Sequence, residues 1–476
     1  MAVVPTKHVF FLGLGGIGMS SLARHLHAAG HVVGGYDLTP SPLLRALEQE
    51  GMSVTFSPNS GELPEWARVA GPAEMTVIWT PAVPRDLPLF AHFANQGIHP
   101  IKRAALLGAI TENRPTLAVA GTHGKTTTSS WLAAMLAATP NGCHGFLGGV
   151  DRETGTNYIT RPTATWHVVE ADEYDRSFHH LHPTHAAITN LEPDHLDVYG
   201  TPEAFREAFE VFGSQVQQTL ILPATLAWPE PGEAEIGPAI ERFAVCLEGD
   251  PVPAGVNHLA VVSRSNGEIR FTLGQHIGTH PNPSQHVEFQ SVPALAGRHN
   301  TANALVAAAL AWHAGVPAQT LAEVVSNFGG VRRRMDVHLD TPKSVYVDDY
   351  AHHPTELDAL IDTVRERWQG RELTLIFQPH LFSRTRDFGT EFARVLGRAD
   401  RVFVLPIYPA REAPIEGVDA QWLFDNISGT HKHLSTSDSI FGDLKACSVD
   451  VLVTAGAGDI DRLVPQALQH MQDRRT

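Results

Sequence analysis

Short apolar runs alternate with amphipathic segments through the first part of the chain. The apolar runs HVFFLGL, HVVGGYD and MTVIWT are separated by the segments SSLARHLHAAG and LLRALEQEG. Short apolar runs bounded by glycine and polar residues are typical of buried strands, and the longer amphipathic segments are typical of helices. The alternation predicts a parallel α/β fold.

The same pattern recurs in two further stretches. One begins with PTLAVAGTHGKTTTSSWLAAMLAA, continues through WHVVEADEYD and HAAITNLEPDH, and ends in the predicted helix NTANALVAAALAWHAG. Within it, residues 223–290 are rich in Pro, Gly and Asn, and runs such as HLAVVSRS predict an irregular sheet appended to the core. The other follows FGGVRRRMD, with predicted strands SVYVDDY, LTLIFQPH, RVFVLPIY and DVLVTAGAG. We therefore predict three domains, over residues 1–112, 113–328 and 329–476.

Charge and cysteine usage narrow the possible partners. A formal net charge of −16 argues against binding to nucleic acid or to an anionic membrane surface, because both need a positive field. Cys143, Cys246 and Cys447 have no paired spacing, which favours reduced thiols and a cytoplasmic location. Because no segment reaches the roughly 18 apolar residues of a membrane span, we expect no membrane insertion.

The motif GLGGIG follows the first predicted strand. It supplies Gly13, Gly15 and Gly18 in dinucleotide-fold spacing, with Asp37 at the end of the second strand. Glycines there allow a tight turn and let backbone amides at a helix start approach a pyrophosphate, while the acid can accept bonds from a ribose or base. The motif therefore predicts a nucleotide site, and NAD is one candidate ligand.

A second glycine motif, GTHGKTTT, has the parts of a triphosphate site with unusual spacing. The common phosphate loop has a glycine where Val119 stands, whereas here Gly121 lies closer to Gly124. Lys125 can contact β and γ phosphate oxygens, and Thr126 can offer a hydroxyl to Mg²⁺. An unliganded glycine turn is the alternative.

Acidic clusters follow the next two predicted strands. WHVVEADEYD carries Glu170, Asp172, Glu173 and Asp175, and ITNLEPDHLD carries acids around His195. Acids at the carboxyl ends of parallel strands are where an ATPase core places its metal ligands. His195 is an unusual ligand for Mg²⁺, which prefers oxygen, and a solvent-facing histidine is the alternative.

Basic residues occur where the second domain meets the third. GRHNTAN and VRRRMD contain arginines suited to phosphate oxygens, and a solvated linker is the alternative interpretation. DDYAHHPTE and FQPHLFSRTRD both follow strands of the third domain, where α/β sheets bind ligands.

Taken in order, GLGGIGMSSLA, GTHGKTTT, EADEYDRSF, TNLEPDHLDVYG, GRHNTAN, RRRMD, DDYAHHPTE, FQPHLFSRTRDF and YPAREAPIEG closely resemble the Mur ligases over nearly the whole chain. GT-x-GKT-T is that family's form of the phosphate loop. The resemblance implies a Rossmann-like UDP-binding domain, a P-loop ATPase-type domain and a Rossmann-like C-terminal domain that binds the amino acid.

The resemblance also implies an activity in peptidoglycan precursor synthesis. An amino acid, here L-alanine, is joined to the lactyl carboxylate of UDP-N-acetylmuramate through an acyl phosphate, with ATP as cosubstrate and Mg²⁺ or Mn²⁺ as metal, releasing ADP and phosphate. The expected partners are these small molecules alone, and the expected state is a monomer or weak homodimer.

Residue roles follow from the same resemblance. The UDP-sugar is expected at Gly15, Gly16, Ile17, Gly18 and Asp37. ATP is expected at Gly121, Thr122, His123, Gly124, Lys125, Thr126, Thr127, Asn300, Asn303, Arg334 and Asp349. The expected metal ligands are Thr126, Glu170 and His195, and the expected amino-acid pocket is Tyr350, His352 and Arg384. The residues expected to carry catalysis are Lys125, Glu170, His195, Asn300 and Arg334.

Two departures and three alternatives accompany this assignment. No lysine occurs between positions 195 and 220, so we predict no carbamylated lysine, and Leu381 stands where many alanine-adding members have a second arginine. A sibling ligase that attaches a recycled tripeptide to the same sugar nucleotide is the nearest alternative. An NAD-dependent oxidoreductase and a non-catalytic nucleotide-binding regulator are the others. The oxidoreductase leaves the lysine loop and the two acidic clusters unexplained.

Overall fold

A computed structural model of the chain describes residues 6–228, 241–251, 256, 258–265, 268–276, 286–410 and 412–473. Within this part of the chain the strands form three sheets, each accompanied by helices. No helix in these ranges is long and apolar enough to cross a membrane.

The first sheet is parallel throughout, and its strands alternate with helices. The strands are β1 (His8–Leu12), β2 (Val32–Tyr36), β3 (Ser53–Thr55), β4 (Met75–Trp79) and β5 (Ile101–Lys102). The helices are α1 (Ile17–Ala28), α2 (Pro42–Gln49), α3 (Glu65–Val69), α4 (Pro88–Asn95) and α5 (Arg103–Thr111). The strand order is β3-β2-β1-β4-β5, as in a Rossmann-like half-fold.

The second sheet has ten strands around the predicted phosphate loop. Its strands are β6 (Thr116–Ala120), β7 (Cys143–Phe146), β8 (Tyr158–Ile159), β9 (Trp166–Glu170), β10 (His185–Ile188), β11 (Thr219–Pro223), β12 (Glu241–Cys246), β13 (His258–Ser265), β14 (Glu268–His276) and β15 (Val287–Gln290). The helices of this region are α6 (Lys125–Ala137), α7 (Leu196–Tyr199), α8 (Pro202–Ser214), α9 (Arg298–His313) and α10 (Ala318–Asn327).

Strand order places the phosphate loop near the middle of this sheet. The order is β15-β14-β13-β12-β11-β10-β6-β9-β7-β8, and β6 pairs in parallel with β9 and β10. The β-rich segment 223–290 contributes β12 to β15 at one edge, where β13, β14 and β15 pair antiparallel. Residues 229–240, 252–255, 257, 266–267 and 277–285 of that segment lie outside the described part of the chain.

The third sheet is parallel except at one edge. Its strands are β16 (Asp336–Asp340), β17 (Val345–Asp349), β18 (Leu373–Phe377), β19 (Arg401–Val404), β20 (His431–Leu434) and β21 (Val451–Ala455). Its helices are α11 (Pro354–Arg367), α12 (Phe382–Asp387), α13 (Gly389–Leu396), α14 (Ala420–Asn426), α15 (Ile440–Lys445) and α16 (Val464–Asp473). The order is β16-β17-β21-β18-β19-β20, and only β16 runs antiparallel to its neighbour in the described sheet.

The three sheets fall into two compact units. Residues up to 294, together with 302–328, form one unit, and residues 295–301 with 329–476 form the other. Within the first unit a single hydrophobic cluster joins the two sheets, because Leu22 and Leu106 of the first domain belong to the same core as Phe146 and Phe178 of the central domain. Burial of this shared apolar surface fixes the first domain on the central one.

Candidate active site

The glycine turn after β1 lies where the order of the first sheet reverses. Strands β2 and β4 flank β1, and open α/β sheets bind ligands beyond the carboxyl ends of strands at such a point. Gly13 has φ 89°, a conformation that favours glycine, and Gly16 is the N-cap of α1 with no described side chain capping it. Gly16, Ile17 and Gly18 line a cavity, so the first turn of α1 faces space that a ligand can occupy.

Asp37 contacts the turn directly. Its Oδ2 accepts a hydrogen bond of 2.7 Å from the Gly15 amide, and its Oδ1 accepts one of 3.3 Å from the Thr39 amide. A Cβ at Gly15 would lie 2.9 Å from the same oxygen, so glycine is what permits the approach. The structure thus brings Asp37 and Gly15 together, while the contact of Asp37 with a uridine stays a prediction.

The cavity beside this turn, of about 250 Å³, has one wall from each domain of the first unit. The first domain contributes the start of α1, the segment Thr80–Ala82 and the basic residues Lys102 and Arg103. The central domain contributes Glu170 and the acidic residues that follow it. One cavity therefore reaches from the predicted UDP site to the predicted metal site.

Lys102 and Arg103 are functional candidates that our sequence analysis missed. Lys102 Nζ lies 2.7 Å from Asp175 Oδ2, and Arg103 Nη2 lies 3.0 Å from Asp172 Oδ2. Both basic residues lie at the carboxyl end of β5, at the edge of the sheet where ligands bind. Their position at the end of a strand would have identified them, but the sequence analysis did not predict the two-residue strand β5.

The phosphate loop joins β6 to α6 through two glycines in left-handed conformations. Gly121 has φ 125° and Gly124 has φ 81°. A Cβ at Gly121 would lie 2.2 Å from Thr189 Oγ1, and a Cβ at Gly124 would lie 2.6 Å from Asn303 Oδ1. Both positions therefore require glycine, and the tight packing explains how a loop with shortened spacing keeps one shape.

The other loop residues are held by the segment that follows β10. Thr122 Oγ1 donates to the Glu192 carbonyl at 2.7 Å, and the His123 amide donates to Asn190 Oδ1 at 2.9 Å. Thr127 is buried in the first turn of α6. Hydrogen bonds with the segment after β10 thus hold the loop in one conformation.

Lys125 is paired with a buried carboxylate. Its Nζ donates to the Gly121 carbonyl at 2.6 Å and to Glu173 Oε1 at 2.9 Å. Burial lowers the pKa of Lys125, but the nearby carboxylates of Glu173 and Glu170 outweigh burial, so the pKa of Lys125 is raised. Burial also raises the pKa of Glu173, because it outweighs the lowering effect of Lys125. Glu173 was noted in the sequence only as one of several acids, because its pairing with Lys125 depends on the tertiary fold.

Thr126 and Glu170 form the core of the predicted metal site. Thr126 Oγ1 donates to Glu170 Oε1 at 3.2 Å. A Cβ at Gly148 would lie 2.0 Å from Glu170 Oε2, so the glycine leaves room for the carboxylate. His195 has φ 52°, and its ring meets the ring of Tyr174 edge-on at a centroid distance of 5.2 Å. Tyr174 follows Glu170 in the acidic loop, which puts His195 beside that loop.

The asparagines of GRHNTAN lie at the start of α9. Asn303 belongs to the same compact unit as the phosphate loop and contacts Gly124 as described above. Asn300 belongs to the C-terminal unit, and its Nδ2 donates to the Ala296 carbonyl at 2.7 Å.

Arg334 and Asp349 come together in the C-terminal unit. Asp349 ends β17 and accepts hydrogen bonds from the Met335 amide at 2.6 Å and the Ala351 amide at 2.8 Å. Burial raises the pKa of Asp349 to about 6, against the lowering effect of Arg334. The Arg334 guanidinium lies 5.1 Å from the centroid of the Tyr350 ring. The turn that carries the arginines is therefore fixed to the end of β17.

The predicted amino-acid pocket also lies in this unit. The rings of Tyr350 and His352 are 5.2 Å apart, and burial lowers the pKa of His352 to about 3, against the raising effect of Glu356. Arg384 is buried, and its Nη1 lies 3.5 Å from His380 Nδ1. His380 lies 5.8 Å from His352, ring to ring, and so links the predicted residues. His380 and Glu356 were not predicted as site residues, although both fall in motifs that the sequence analysis quoted.

Three family models match successive parts of the chain. The model described as the Mur ligase family, catalytic domain, matches residues 8–115, and the Mur ligase middle domain matches residues 119–311. The model described as the Mur ligase, glutamate ligase domain, matches residues 333–460.

Curated relatives and solved structures agree with these matches. The chain is 41% identical over 467 residues to a UDP-N-acetylmuramate–L-alanine ligase of Porphyromonas gingivalis, covering 98% of this chain and 99% of the relative. It is 40% identical over 460 residues to an enzyme of the same name from Flavobacterium johnsoniae, covering 96% of each. The crystal structure of a UDP-N-acetylmuramate–alanine ligase from Thermotoga maritima matches with a TM-score of 0.75 and 25% identity over 98% of this chain and 99% of that chain.

The chain belongs to the Mur ligase family, which confirms the predicted family and the predicted three-domain α/β fold. The protein is accordingly a ligase.

Proposed function

We propose that this chain joins L-alanine to the lactyl carboxylate of UDP-N-acetylmuramate at the expense of ATP, in peptidoglycan precursor synthesis. The observation that carries the proposal is the cavity that reaches from the glycine turn of the first domain to Glu170 beside the phosphate loop. A sugar nucleotide with a carboxylate has a diphosphate near one end and its reacting acid near the other, which suits these two walls. The names of the relatives that are about 40% identical support the same substrates.

The chemistry requires that the carboxylate be activated, because a carboxylate is a poor acylating agent. A carboxylate oxygen attacks the γ-phosphorus of ATP, the bond to ADP breaks, and an acyl phosphate forms. The amine of L-alanine then attacks the carbonyl carbon, loses a proton, and expels phosphate from the tetrahedral intermediate. Since negatively charged reactants must meet, fixed cations that offset their repulsion contribute much of the rate enhancement.

The phosphate loop supplies such a cation in Lys125. In the structure its ammonium group pairs with Glu173, and the incoming β and γ phosphate oxygens take the place of that carboxylate. The backbone amides of residues 121–127 surround the phosphates. Asn300, Asn303, Arg334 and Asp349 keep the roles toward the nucleotide that were predicted for them.

The donors at Glu170 fit a hard divalent cation. The Thr126 hydroxyl and the Glu170 carboxylate lie in contact, and oxygen donors are what Mg²⁺ and Mn²⁺ prefer. These two residues would hold the ion, with His195 as the predicted third ligand. When bound, the ion would supply positive charge at the triphosphate and at the sugar carboxylate.

The amino acid is assigned to the C-terminal unit. Arg384 offers a guanidinium to the carboxylate of L-alanine, and Tyr350 and His352 line the same pocket. Burial keeps His352 neutral at pH 7, so it can orient an ammonium or amine without repelling it. Leu381, with φ 70°, precedes α12 at the position of the arginine found in many alanine-adding members.

The tripeptide-adding ligase remains an alternative with weaker support. A murein peptide ligase from Psychrobacter arcticus shares the fold, with a TM-score of 0.67, but at 22% identity the likeness extends to the fold alone. An oxidoreductase and a non-catalytic regulator are disfavoured because the chain belongs to a ligase family. A cytoplasmic location and a monomeric or weakly dimeric state stay predictions.

Release of ADP tests the proposal. The full chain is assayed with ATP, Mg²⁺ and UDP-N-acetylmuramate, with L-alanine or the tripeptide as the amine. We expect ADP release that needs the sugar nucleotide, that is fastest with L-alanine, and that falls at least a hundredfold in Lys125→Ala. Preference for the tripeptide would overturn the choice of amine, and ADP release that ignores UDP-N-acetylmuramate would overturn the function.

A further inference from the structure

Arg103 lies against the glycine turn, although it follows the last strand of the first sheet. A Cβ at Gly18 would lie 3.0 Å from Arg103 Nη1 and 3.4 Å from Cζ, so the guanidinium packs on the glycine. Gly18 is the third glycine of GLGGIG and belongs to the first turn of α1. The absence of a side chain at Gly18 therefore leaves space for a cation where the backbone amides of α1 begin.

A carboxylate of the central domain holds this guanidinium. Arg103 Nη2 donates to Asp172 Oδ2 at 3.0 Å, and the exposed fractions of the two side chains are 16% and 40%. Lys102 forms a second pair of the same kind with Asp175. Ion pairs that remain partly exposed contribute little to stability, so an anionic ligand can displace the carboxylates at small cost.

Two cations of the first domain line the cavity together with acidic residues of the central domain. Lys102 and Arg103 lie on the side that carries the start of α1, and Glu170, Asp172 and Asp175 come from the other domain. A chain with a formal net charge of −16 repels anions at long range and must hold an anionic ligand through local cations. A helix start with an arginine beside it is such a local site, because amides and guanidinium together can bind several phosphate oxygens.

We propose that Arg103, assisted by Lys102, binds the diphosphate of the sugar nucleotide and exchanges Asp172 for phosphate oxygens when the ligand arrives. This inference rests on the proposed function, and it assigns the diphosphate to particular side chains of the same site. It implies that Arg103 distinguishes a nucleoside diphosphate from a nucleoside, since only the former presents oxygens to the guanidinium.

Calorimetric titration of the full chain with UDP and with uridine, without ATP or divalent metal, tests the assignment. We expect Arg103→Ala to weaken UDP binding roughly ten- to a hundredfold, as for loss of a hydrogen bond to a charged group, and to leave uridine binding within about twofold. Arg103→Lys retains the positive charge but lacks the planar guanidinium, so its affinity for UDP should lie between those of the wild type and Arg103→Ala. Arg68→Ala is the control, because it removes one exposed positive charge far from the glycine turn. Arg68 lies on α3, and Trp66 of that helix stacks on His8 at the opposite end of β1.

Asp172→Asn gives a prediction of the opposite sign. If Asp172 competes with the diphosphate for Arg103, its neutralisation should tighten UDP binding by about threefold or more. Wild-type-like UDP affinity in a folded Arg103→Ala variant, or weaker UDP binding in Asp172→Asn, would overturn the assignment while leaving the proposed function intact. Failure of the wild-type chain to bind UDP would overturn both.

Discussion

Lys125, which we propose contacts the phosphates of ATP, is paired with a carboxylate in the structure. Lys125 and Glu173 are both largely buried, with exposed fractions of 13% and 2%, and their charged atoms are 2.8 Å apart. A buried charge that loses its partner is costly, because water cannot replace the lost interaction. Glu173 thus keeps Lys125 charged and in place for the phosphate oxygens that we propose it binds.

This pairing predicts different effects of two substitutions on stability and activity. Lys125→Ala should lower the free energy of unfolding by roughly 3–5 kcal/mol, the usual cost of breaking a buried pair, and should abolish ADP release. Lys125→Ala/Glu173→Gln should regain part of that free energy without regaining ADP release. Denaturant unfolding and the ADP assay measure both quantities, with exposed Lys445→Ala as the charge-matched control. A single Lys125→Ala variant as stable as wild type would contradict the account.

Gly148 sets the position of Glu170 by leaving space for it. In Gly148→Ala the new methyl group would overlap Glu170 Oε2, at 2.0 Å, and should displace the carboxylate from Thr126. We expect kcat/KM for ADP release to fall at least tenfold, with a higher Mg²⁺ requirement. Gly71→Ala is the matched control, since a Cβ there meets nothing within 4 Å. Equal Mg²⁺ dependence in both variants would show that Gly148 has no such role.

At the scale of elements, helix α1 is fixed by a residue from the central domain. Asn157 precedes β8 and is fully buried. Its Nδ2 donates to the Ile17 carbonyl at 2.7 Å and to Ser20 Oγ at 2.9 Å, while Arg24 Nη1 donates to its Oδ1. These bonds orient the first turn of α1, where the UDP-sugar is predicted, relative to the sheet that carries Glu170.

Removal of this amide should therefore affect both stability and substrate binding. Asn157→Ala removes the hydrogen-bond partner of several buried polar groups, and each such loss costs about 1–3 kcal/mol. The free energy of unfolding should therefore fall by at least the cost of one such loss. The KM for UDP-N-acetylmuramate should rise several-fold while the KM for ATP changes little. Steady-state kinetics beside denaturant unfolding would measure this, with exposed Asn59→Ala as control. Equal increases in both KM values would indicate general disruption instead.

The elements that carry the motifs were predictable, and the contacts between them were not. Apolar runs located β1, β9 and β17, and the glycines located both turns, because strand burial and positive φ are local requirements. Short β5 was missed, and with it Arg103. The partners of Lys125 and the role of Asn157 depend on side chains from distant parts of the sequence, which no local pattern records.

At the scale of the whole molecule, three histidines lie where the first and central domains pack together. His167 is buried, and His25 and His144 are half-buried. His25 Nδ1 and His144 Nδ1 lie 2.8 and 3.1 Å from the Tyr158 hydroxyl, and the ring of His167 lies 5.0 Å from that of His144. Burial, with the neighbouring histidines and Arg114, lowers the pKa of His25 to about 4 and of His167 to about 3. These groups are neutral in the folded protein at pH 7.

The cluster predicts that stability falls in mild acid. Between the unfolded pKa near 6.5 and the folded values, the unfolded chain binds more protons, so protonation favours unfolding. The contribution is fully present above about pH 6.5 and is lost progressively as pH falls toward 4. Comparison of Tm at pH 7.5 and 5.0 measures the loss. His167→Gln should reduce it and exposed His99→Gln should not, and identical losses in the two variants would contradict the assignment.

The passage of a carboxylate oxygen into phosphate tests the central claim most directly. UDP-N-acetylmuramate labelled with oxygen-18 in its carboxylate is turned over with ATP and L-alanine, and the released phosphate is analysed by mass spectrometry. Because the acyl phosphate breaks between carbon and the bridging oxygen, one labelled oxygen should appear in each phosphate released. Formation of the alanine amide with unlabelled phosphate would contradict activation of the acid by ATP.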